Sequence, residues 1–187
     1  MHRRSLLKLA AWLAPAAAAP ACAAPATPSY LITTGQLQET LAQRFPMRYQ
    51  VPGLFDLDVA QPRLQLLPDL NRVASEMSVG LAGPALRHSY SGEFDLDFAL
   101  RYEPSDQTIR AHSLQVHSLR VAGLPAQAAA VLDSYRAALA RQSFGEVVLH
   151  HLRPRDLALA DAMGLQPGDI TVTRDGLRIG FVNKRIP

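Results

Sequence analysis

The histidines, which often bind metals or transfer protons, are not arranged as a site in this sequence. His112 and His117 lie five residues apart in a segment with strand character, and His150 is followed directly by His151. Because successive residues of a strand point to opposite faces, each pair is split between two faces. No His-Glu-x-x-His and no paired Cys-x-x-Cys motif is present. We therefore expect solvated or hydrogen-bonded histidines, no metal site and no cofactor.

Four aspartates form two Asp-x-Asp pairs, at Asp56 and Asp58 and at Asp95 and Asp97. Each pair lies on one face of its strand, where two carboxylates can share a proton or hold calcium. A strand face that is exposed to water carries charged residues in any case, and no glutamate follows at the spacing of an EF-hand loop. We interpret both pairs as parts of a solvated sheet face.

Motifs for serine chemistry and for phosphate binding are also missing. Ser89, Ser91 and Ser143 are not enclosed in a Gly-x-Ser-x-Gly elbow, and no glycine-rich phosphate-binding loop occurs. The sequence therefore predicts a protein that is not an enzyme and has no catalytic residues.

The longest helical pattern runs from Pro125 to Gln142. Proline suits the first helical turn, and Gly145 is placed to end the helix as a left-handed residue. Apolar residues recur along it at three- and four-residue spacing, which predicts one buried face. These residues are Ala128, Val131, Leu132, Tyr135, Ala138 and Leu139.

A shorter helix is predicted near residue 35. Thr33 and Gln36 have the spacing of a capping box, and Leu37, Leu41 and Phe45 form an apolar stripe that ends at a proline. A third segment, 156–164, indicates a short helical turn.

Most of the remaining chain alternates with a period of two, as half-buried strands do. Residues 93–103 are the clearest case, and the return segment 108–121 changes parity twice, which predicts bulges that bend the strand. Residues 146–152 have strand character, and a hairpin with an Asp175-Gly176 turn closes the chain. These patterns predict an α+β fold with one core and an antiparallel sheet that curls around a helix.

The first 23 residues are typical of a signal peptide. Arg3, Arg4 and Lys8 precede an apolar run from Leu9 to Ala19 and then small residues. We expect residues 24–187 to form one exported, periplasmic domain. Both the twin-arginine and the general secretory routes fit the basic opening. Cleavage before residue 24 competes with lipidation of Cys22, which would anchor the protein to a membrane.

The charge of the predicted mature domain is balanced. Three of the 19 Lys and Arg residues lie before residue 24, which leaves 16 against 16 Asp and Glu. The isoelectric point of about 9.3 therefore gives no argument for nucleic acid as a partner. Cys22 is the sole cysteine of the chain, so the domain must be stabilised by its core without a disulfide.

Several segments between Tyr30 and Phe181 resemble the YceB-like family of bacterial envelope lipoproteins, which has no assigned biochemical function. The segments are YLITTGQLQETLAQRFP, VPGLFDLDVAQPRLQL, FDLDFALRYEPSDQTIRAHSLQV, LQPGDITVTRDGLRIGF and the long helix. The resemblance implies a strongly curved antiparallel sheet wrapped around one long helix, with a short N-terminal helix, similar to one half of the tubular lipid-binding (TULIP) fold. Such a fold can hold a lipid between helix and sheet. The residues before Cys22 lack the lipobox of the family's anchored members.

Two functions are therefore open. One is non-enzymatic binding of a lipid or other hydrophobic small molecule between helix and sheet, in space left by an alanine-rich helix and a chain with 6% aromatic residues. The other is a cell-envelope interaction or scaffold protein with a filled core, which the periodicity alone favours over a ligand channel. The expected lining residues are Met77, Val79, Phe94, Leu96, Phe98, Val131, Leu132, Tyr135, Leu139 and Phe144.

Overall fold

The computed structural model describes residues 28–145 and 147–184, and in this part of the chain the fold is α+β, with ten strands and three α-helices. The expected signal peptide, its cleavage site and Cys22 lie outside the described residues. The strands are β1 (Ser29–Thr33), β2 (Met47–Val51), β3 (Phe55–Val59), β4 (Arg63–Leu67), β5 (Arg72–Ala82), β6 (Tyr90–Glu103), β7 (Thr108–Val121), β8 (Val148–His151), β9 (Leu165–Val172) and β10 (Gly176–Asn183). The helices are α1 (Thr34–Ala42), α2 (Ala126–Phe144) and α3 (Pro154–Ala162).

Seven strands form one antiparallel sheet that curves into a half-barrel. Its order is β2-β3-β5-β6-β7-β8, and β4 pairs with a second stretch of β5. The remaining three strands form a small antiparallel sheet in the order β1-β10-β9. The prediction of a curved antiparallel sheet in an α+β fold is confirmed.

The two predicted parity changes in β7 are confirmed as irregularities in its pairing with β6. The register shifts between Asp95 and Leu96 and again between Asp97 and Ala99. Beside the second shift, Ser113 has a φ of 50°, in the left-handed region. Bulges increase the local bend and twist of a strand, so these two positions explain the curvature of the longest strand pair.

The predicted capping box of α1 is present. The Gln36 N–H donates to Thr33 Oγ1 at 3.3 Å, and the Thr33 N–H donates to Gln36 Oε1 at 2.9 Å. Leu37, Leu41 and Phe45 are all buried, as their spacing predicts. The helix therefore begins where its polar residues can satisfy the free N–H groups of its first turn.

Helix α2 buries a narrower stripe than its apolar pattern predicts. Leu132, Leu139, Ala140 and Phe144 are buried, but Tyr135 is 41% exposed. The predicted burial of Tyr135 is therefore wrong. The reason is that β7 is the main neighbour of α2, and one strand covers less of a helix than a broad sheet surface does.

Gly145 ends α2, but not as a left-handed residue. Its φ is −61° and its ψ is 124°, so that part of the prediction is wrong. The Gly145 N–H donates to the Arg141 carbonyl at 2.6 Å, and a Cβ at position 145 would lie 2.2 Å from that oxygen. Glycine is required here because the chain passes too close to the last turn of α2 for any side chain.

The core lies between the inner face of the curved sheet and the helices. Phe98 of β6 stacks on Phe144 of α2 with ring centroids 5.2 Å apart, and Phe45 lies 5.8 Å from Phe144 on another side. Phe94 is also fully buried. Each of these phenylalanines stabilises the fold by roughly 1.5–3 kcal/mol relative to an exposed side chain.

One asparagine joins the two sheets. Asn71, between β4 and β5, adopts a left-handed conformation with a φ of 52°. Its amide donates to the Ile170 carbonyl at 3.1 Å and accepts from the Val172 N–H at 2.7 Å. The side chain therefore pairs with β9 much as a neighbouring strand would.

Candidate functional site

Most residues predicted to line a ligand channel lie together in the filled core. Eight of the ten are 3% exposed or less, whereas Val131 is half-buried and Tyr135 is exposed. The buried eight come from β5, β6 and α2 and belong to one contiguous hydrophobic cluster. They are Met77, Val79, Phe94, Leu96, Phe98, Leu132, Leu139 and Phe144.

Open concave space lies beside this core, between α2 and β7. One depression of about 450 Å³ is lined by Leu114, Val116, Arg136, Ala137, Ala140 and Arg141. A second, of about 400 Å³, is lined by Arg101, Ala111, His112, Ser113, Leu114, Arg141 and Gly145. Because both are lined by Leu114 and Arg141, we treat them as two ends of one feature and call it the α2/β7 groove.

Small side chains on α2 and the bulge in β7 together produce this groove. Ala137 and Ala140 present only a methyl group toward β7, so the two elements approach without filling the space between them. Leu114 and Val116, which follow the bulge at Ser113, are half-buried and form the opposite wall. The groove is therefore apolar where helix and strand face each other.

The charged residues that line the groove are all arginines. Arg136 Nη1 lies 3.4 Å from Asp133 Oδ1 on the same helix, and Arg101 Nη2 lies 4.0 Å from Glu103 Oε2 on the same strand. The guanidinium of Arg141 makes no hydrogen bond or ion pair with any residue the structure describes. Both parts of the groove are thus positively charged at the rim.

His112 and Ser113 form a local pair at one end of the groove. The Leu100 carbonyl lies 3.1 Å from His112 Nε2, and a carbonyl only accepts hydrogen bonds, so Nε2 carries a proton. The Ser113 hydroxyl lies 2.8 Å from His112 Nδ1, which accepts its hydrogen bond in the neutral imidazole. These contacts orient both side chains within the bulge.

A buried ionic cluster lies on the outer face of the sheet. Asp97 is 3% exposed, so its assignment to a solvated face is wrong. Arg72 donates to Asp97 Oδ1 and, at 2.5 Å, to the Ser113 carbonyl, while the half-exposed His117 donates to Asp97 Oδ2 at 2.5 Å. The bulges bring these groups over the carboxylate and exclude water from it. We call these three side chains the Asp97 cluster.

The Asp56 and Asp58 pair does lie on a solvated face. Asp58 accepts from Arg48 Nε at 2.6 Å, and both side chains are exposed by half or more. The hydrogen bond from the Arg48 guanidinium holds the pKa of Asp58 below its ordinary value. This ion pair is a surface feature of the β2–β3 hairpin.

His150 is a structural histidine. Its Nε2 lies 3.4 Å from the hydroxyl of Tyr30, which joins β8 to β1. Burial lowers the pKa of His150 and raises the pKa of Tyr30. The neighbouring His151 is exposed, so the two adjacent histidines have different environments, as strand alternation predicts.

Two findings on metals and membranes concern residues 28–145 and 147–184. Within them, no group of three or more His, Cys, Asp or Glu side chains is placed to hold a metal ion. None of the helices in the same part of the chain has the length and apolar character needed to cross a membrane.

Sequence reasoning missed the residues that line the α2/β7 groove. The missed signal is the segment Arg136-Ala137-Ala138-Leu139-Ala140-Arg141, in which two arginines flank alanines over consecutive turns of a helix. Such spacing places positive charge beside a methyl-lined surface. It does not reveal which strand lies opposite.

A scan of protein-family models found no family that matches this chain, and a search of curated proteins found no match either.

Proposed function

We propose that this protein is a periplasmic, non-enzymatic binder of a lipid or other hydrophobic small molecule, which it holds in the α2/β7 groove. The observation that carries the proposal is the apolar groove between the long helix and the curved sheet. Its volume falls within the range of small-molecule sites, roughly 300–1,000 Å³. The resemblance to the YceB-like family and the TULIP fold implies the same placement of a ligand.

The proposal includes a sheet that wraps around α2, as the resemblance implies. Support comes from the contacts that α2 makes with the inner face, where Phe144 stacks on Phe98 and Leu132 and Leu139 are buried. Because these side chains already pack against one another, we place the ligand in the open groove beside them. Leu114 and Val116 would then contact its hydrocarbon part.

The proposed location rests on the first 23 residues. A periplasmic protein with an apolar surface groove for a lipid meets its ligand at the membrane, either as a free domain or anchored through Cys22. Fractionation of cells that produce the full chain tests both versions, since mass spectrometry of the recovered protein reports cleavage before residue 24 or acylation of Cys22. Recovery of the uncleaved chain from the cytoplasm contradicts the location.

Filling the groove tests the binding function. N-phenyl-1-naphthylamine is an uncharged apolar probe whose fluorescence rises when it leaves water, and we expect the native domain to bind it saturably. Ala137→Trp fills the groove from an exposed helix position and should abolish this signal. Gln142→Trp adds the same ring at an exposed position outside the groove lining and should leave it unchanged.

Two results contradict binding in this groove. One is the absence of saturable probe fluorescence with the native domain. The other is equal binding by both tryptophan variants, with circular dichroism showing that both are folded.

A specific feature of α3 favours the second function, an interaction or scaffold protein of the cell envelope. Leu159 of α3 is 69% exposed, and Met163, the residue that follows the last turn of α3, is 56% exposed. Their spacing of four residues brings them close together on one side of the helix end. Contiguous apolar patches on a protein surface mark interaction sites, and these two side chains are the start of such a patch. A photo-crosslinking residue at position 159 should give a discrete adduct in cells if this function is correct, whereas the same residue at exposed Arg174 should not. Absence of an adduct at 159 contradicts it.

A further inference from the structure

We propose that the ligand of the α2/β7 groove is an anionic amphiphile, a single hydrocarbon chain that ends in a carboxylate or phosphate, and that Arg141 binds its headgroup. This inference rests on the proposed binding function and adds the chemical class of the ligand. It also assigns a specificity-determining residue.

Charge complementarity is the first argument. Arg101, Arg136 and Arg141 line the groove, and no carboxylate among the described residues lines it. Residues 24–187 contain 16 Lys and Arg against 16 Asp and Glu, so a basic composition does not explain three arginines in one place. A cleft lined by one sign of charge attracts ligands of the opposite sign.

The position of Arg141 is the second argument. It lines both ends of the groove together with Leu114, so a headgroup held there leaves the apolar walls free for the chain. Arg136 and Arg101 each lie near a carboxylate of their own element, whereas Arg141 makes no ion pair with a described residue. Its guanidinium is therefore available, and its planar array of donors fits a carboxylate or phosphate with two parallel hydrogen bonds.

The walls of the groove supply the third argument. Leu114 and Val116 face Ala137 and Ala140, so apolar surface lies on both sides within a few side chains of the arginine. A ligand that satisfies the whole groove must have a hydrocarbon part and an anionic end joined together. A free inorganic anion would leave the walls in contact with water, and a neutral hydrocarbon would leave the guanidinium without a partner.

Arg141 also has a simpler structural role that the test must separate. It lies in the last turn of α2, where a positive side chain interacts favourably with the carbonyl ends of the helix dipole. That role predicts a change in stability when the charge is removed. It does not predict any change in the preference between charged and neutral ligands.

The experiment compares three probes with the same twelve-carbon chain, laurate, dodecyl phosphate and dodecanol, below their aggregation limits. Affinities are measured by displacement of N-phenyl-1-naphthylamine from the native domain. We expect at least one of the two anions to bind about tenfold or more tightly than dodecanol, as one charge-assisted hydrogen-bonded contact allows. Preference for laurate or for the phosphate identifies the headgroup.

Variants of Arg141 then locate the headgroup. Arg141→Gln should weaken binding of the preferred anion about tenfold and leave dodecanol unchanged, while Arg141→Lys should retain most of the anion affinity. Arg178→Gln, which removes an exposed arginine from β10, serves as the matched control and should change neither affinity.

Three outcomes separate this inference from the proposed function. If dodecanol binds as tightly as both anions, the anionic ligand is excluded while hydrophobic binding stands. If the anions are preferred but Arg141→Gln binds them like Arg178→Gln, the assignment of Arg141 is overturned. If neither the naphthylamine nor any dodecyl probe binds, the proposed function fails and this inference fails with it.

Discussion

The two sides of the β6–β7 strand pair are stabilised by opposite kinds of interaction. On the inner side, Phe94 and Phe98 are fully buried, and Phe98 stacks on Phe144. On the outer side, the Asp97 cluster holds a buried carboxylate between a guanidinium and an imidazole. Apolar packing needs only the alternation of side chains, whereas the cluster needs two bulges at defined positions. The packing of the inner side can therefore be predicted from the local sequence pattern, whereas the ionic cluster of the outer side depends on how distant segments pair.

The largest loss of stability should come from a substitution on the inner side. Phe98→Ala removes a fully buried ring that packs on Phe144, and we expect a loss of about 4 kcal/mol in the free energy of unfolding, as for other buried phenylalanines. Urea denaturation followed by circular dichroism measures this loss. A loss below about 1 kcal/mol, well under the range for such substitutions, would mean that the ring is not part of a close-packed core.

On the outer side, substitution of Asp97 should lower the free energy of unfolding nearly as much, and substitution of its partner His117 much less. Asp97→Asn leaves the Arg72 guanidinium buried without a charge partner, which costs about 3 kcal/mol. His117→Gln removes a half-exposed partner and should cost about 1 kcal/mol or less. Equal losses for the two variants in urea denaturation would contradict a network centred on the carboxylate.

Sequence reasoning succeeded where structure depends on neighbours in the chain. Thr33 and Gln36 form the predicted capping box, and the parity changes of β7 are real bulges. The sequence predicts a helical turn at residues 156–164, and α3 covers most of them. Each of these features is set by contacts a few residues apart or by one strand and its hairpin partner.

Sequence reasoning failed where the outcome depends on which element lies opposite. Tyr135 shares the apolar spacing of α2, yet it is 41% exposed because β7, the main neighbour of α2, covers only part of the helix. Asp97 alternates like a solvated residue, yet Arg72 and His117 cover it. Arg141 borders the groove because α2 lies along the bulged part of β7, and no spacing rule contains that information.

Two buried serines allow the inner side to be examined more finely. Ser75 Oγ is the one buried polar side-chain atom in the described part of the chain without a hydrogen-bond partner. Ser75→Ala should therefore leave stability unchanged or raise it by about 1 kcal/mol, because an unpaired hydroxyl is destabilising in an apolar core. Thermal denaturation followed by calorimetry shows whether the substitution raises or lowers the free energy of unfolding.

Ser143→Ala is the matched control for Ser75→Ala. Ser143 is equally buried, but its hydroxyl shares a hydrogen bond of 3.1 Å with Tyr49. Its removal should cost about 1 kcal/mol. If both alanine variants lose the same stability, Ser75 has a partner that the fold does not otherwise indicate.

The smallest effect should be a pH dependence that distinguishes the adjacent histidines of β8. Burial lowers the pKa of His150 from its ordinary value of 6.5, so the folded protein binds a proton there less readily than the unfolded chain does. The unfolded state gains protons first as the pH falls, and stability is therefore lost below about pH 6.5 and fully present above it. Asp156 opposes this shift but does not reverse it.

The pH effect can be assigned to His150 by comparing it with its neighbour. Unfolding free energies at pH 7.5 and pH 5.5 should differ much less in His150→Gln than in the native domain, whereas His151→Gln, which removes only a minor contribution to the lowered pKa of His150, should keep most of the native difference. The Arg48 and Asp58 pair does not contribute to this difference. Its stabilisation is lost only as the pH falls below about 3.8, which is outside the range from pH 7.5 to pH 5.5. An unchanged difference in His150→Gln would show that another group causes the acid sensitivity. A pH difference that is abolished mainly in His150→Gln would instead extend the contrast between the two sides of the sheet to β8, where one strand places one histidine half-buried against Tyr30 and the next in water.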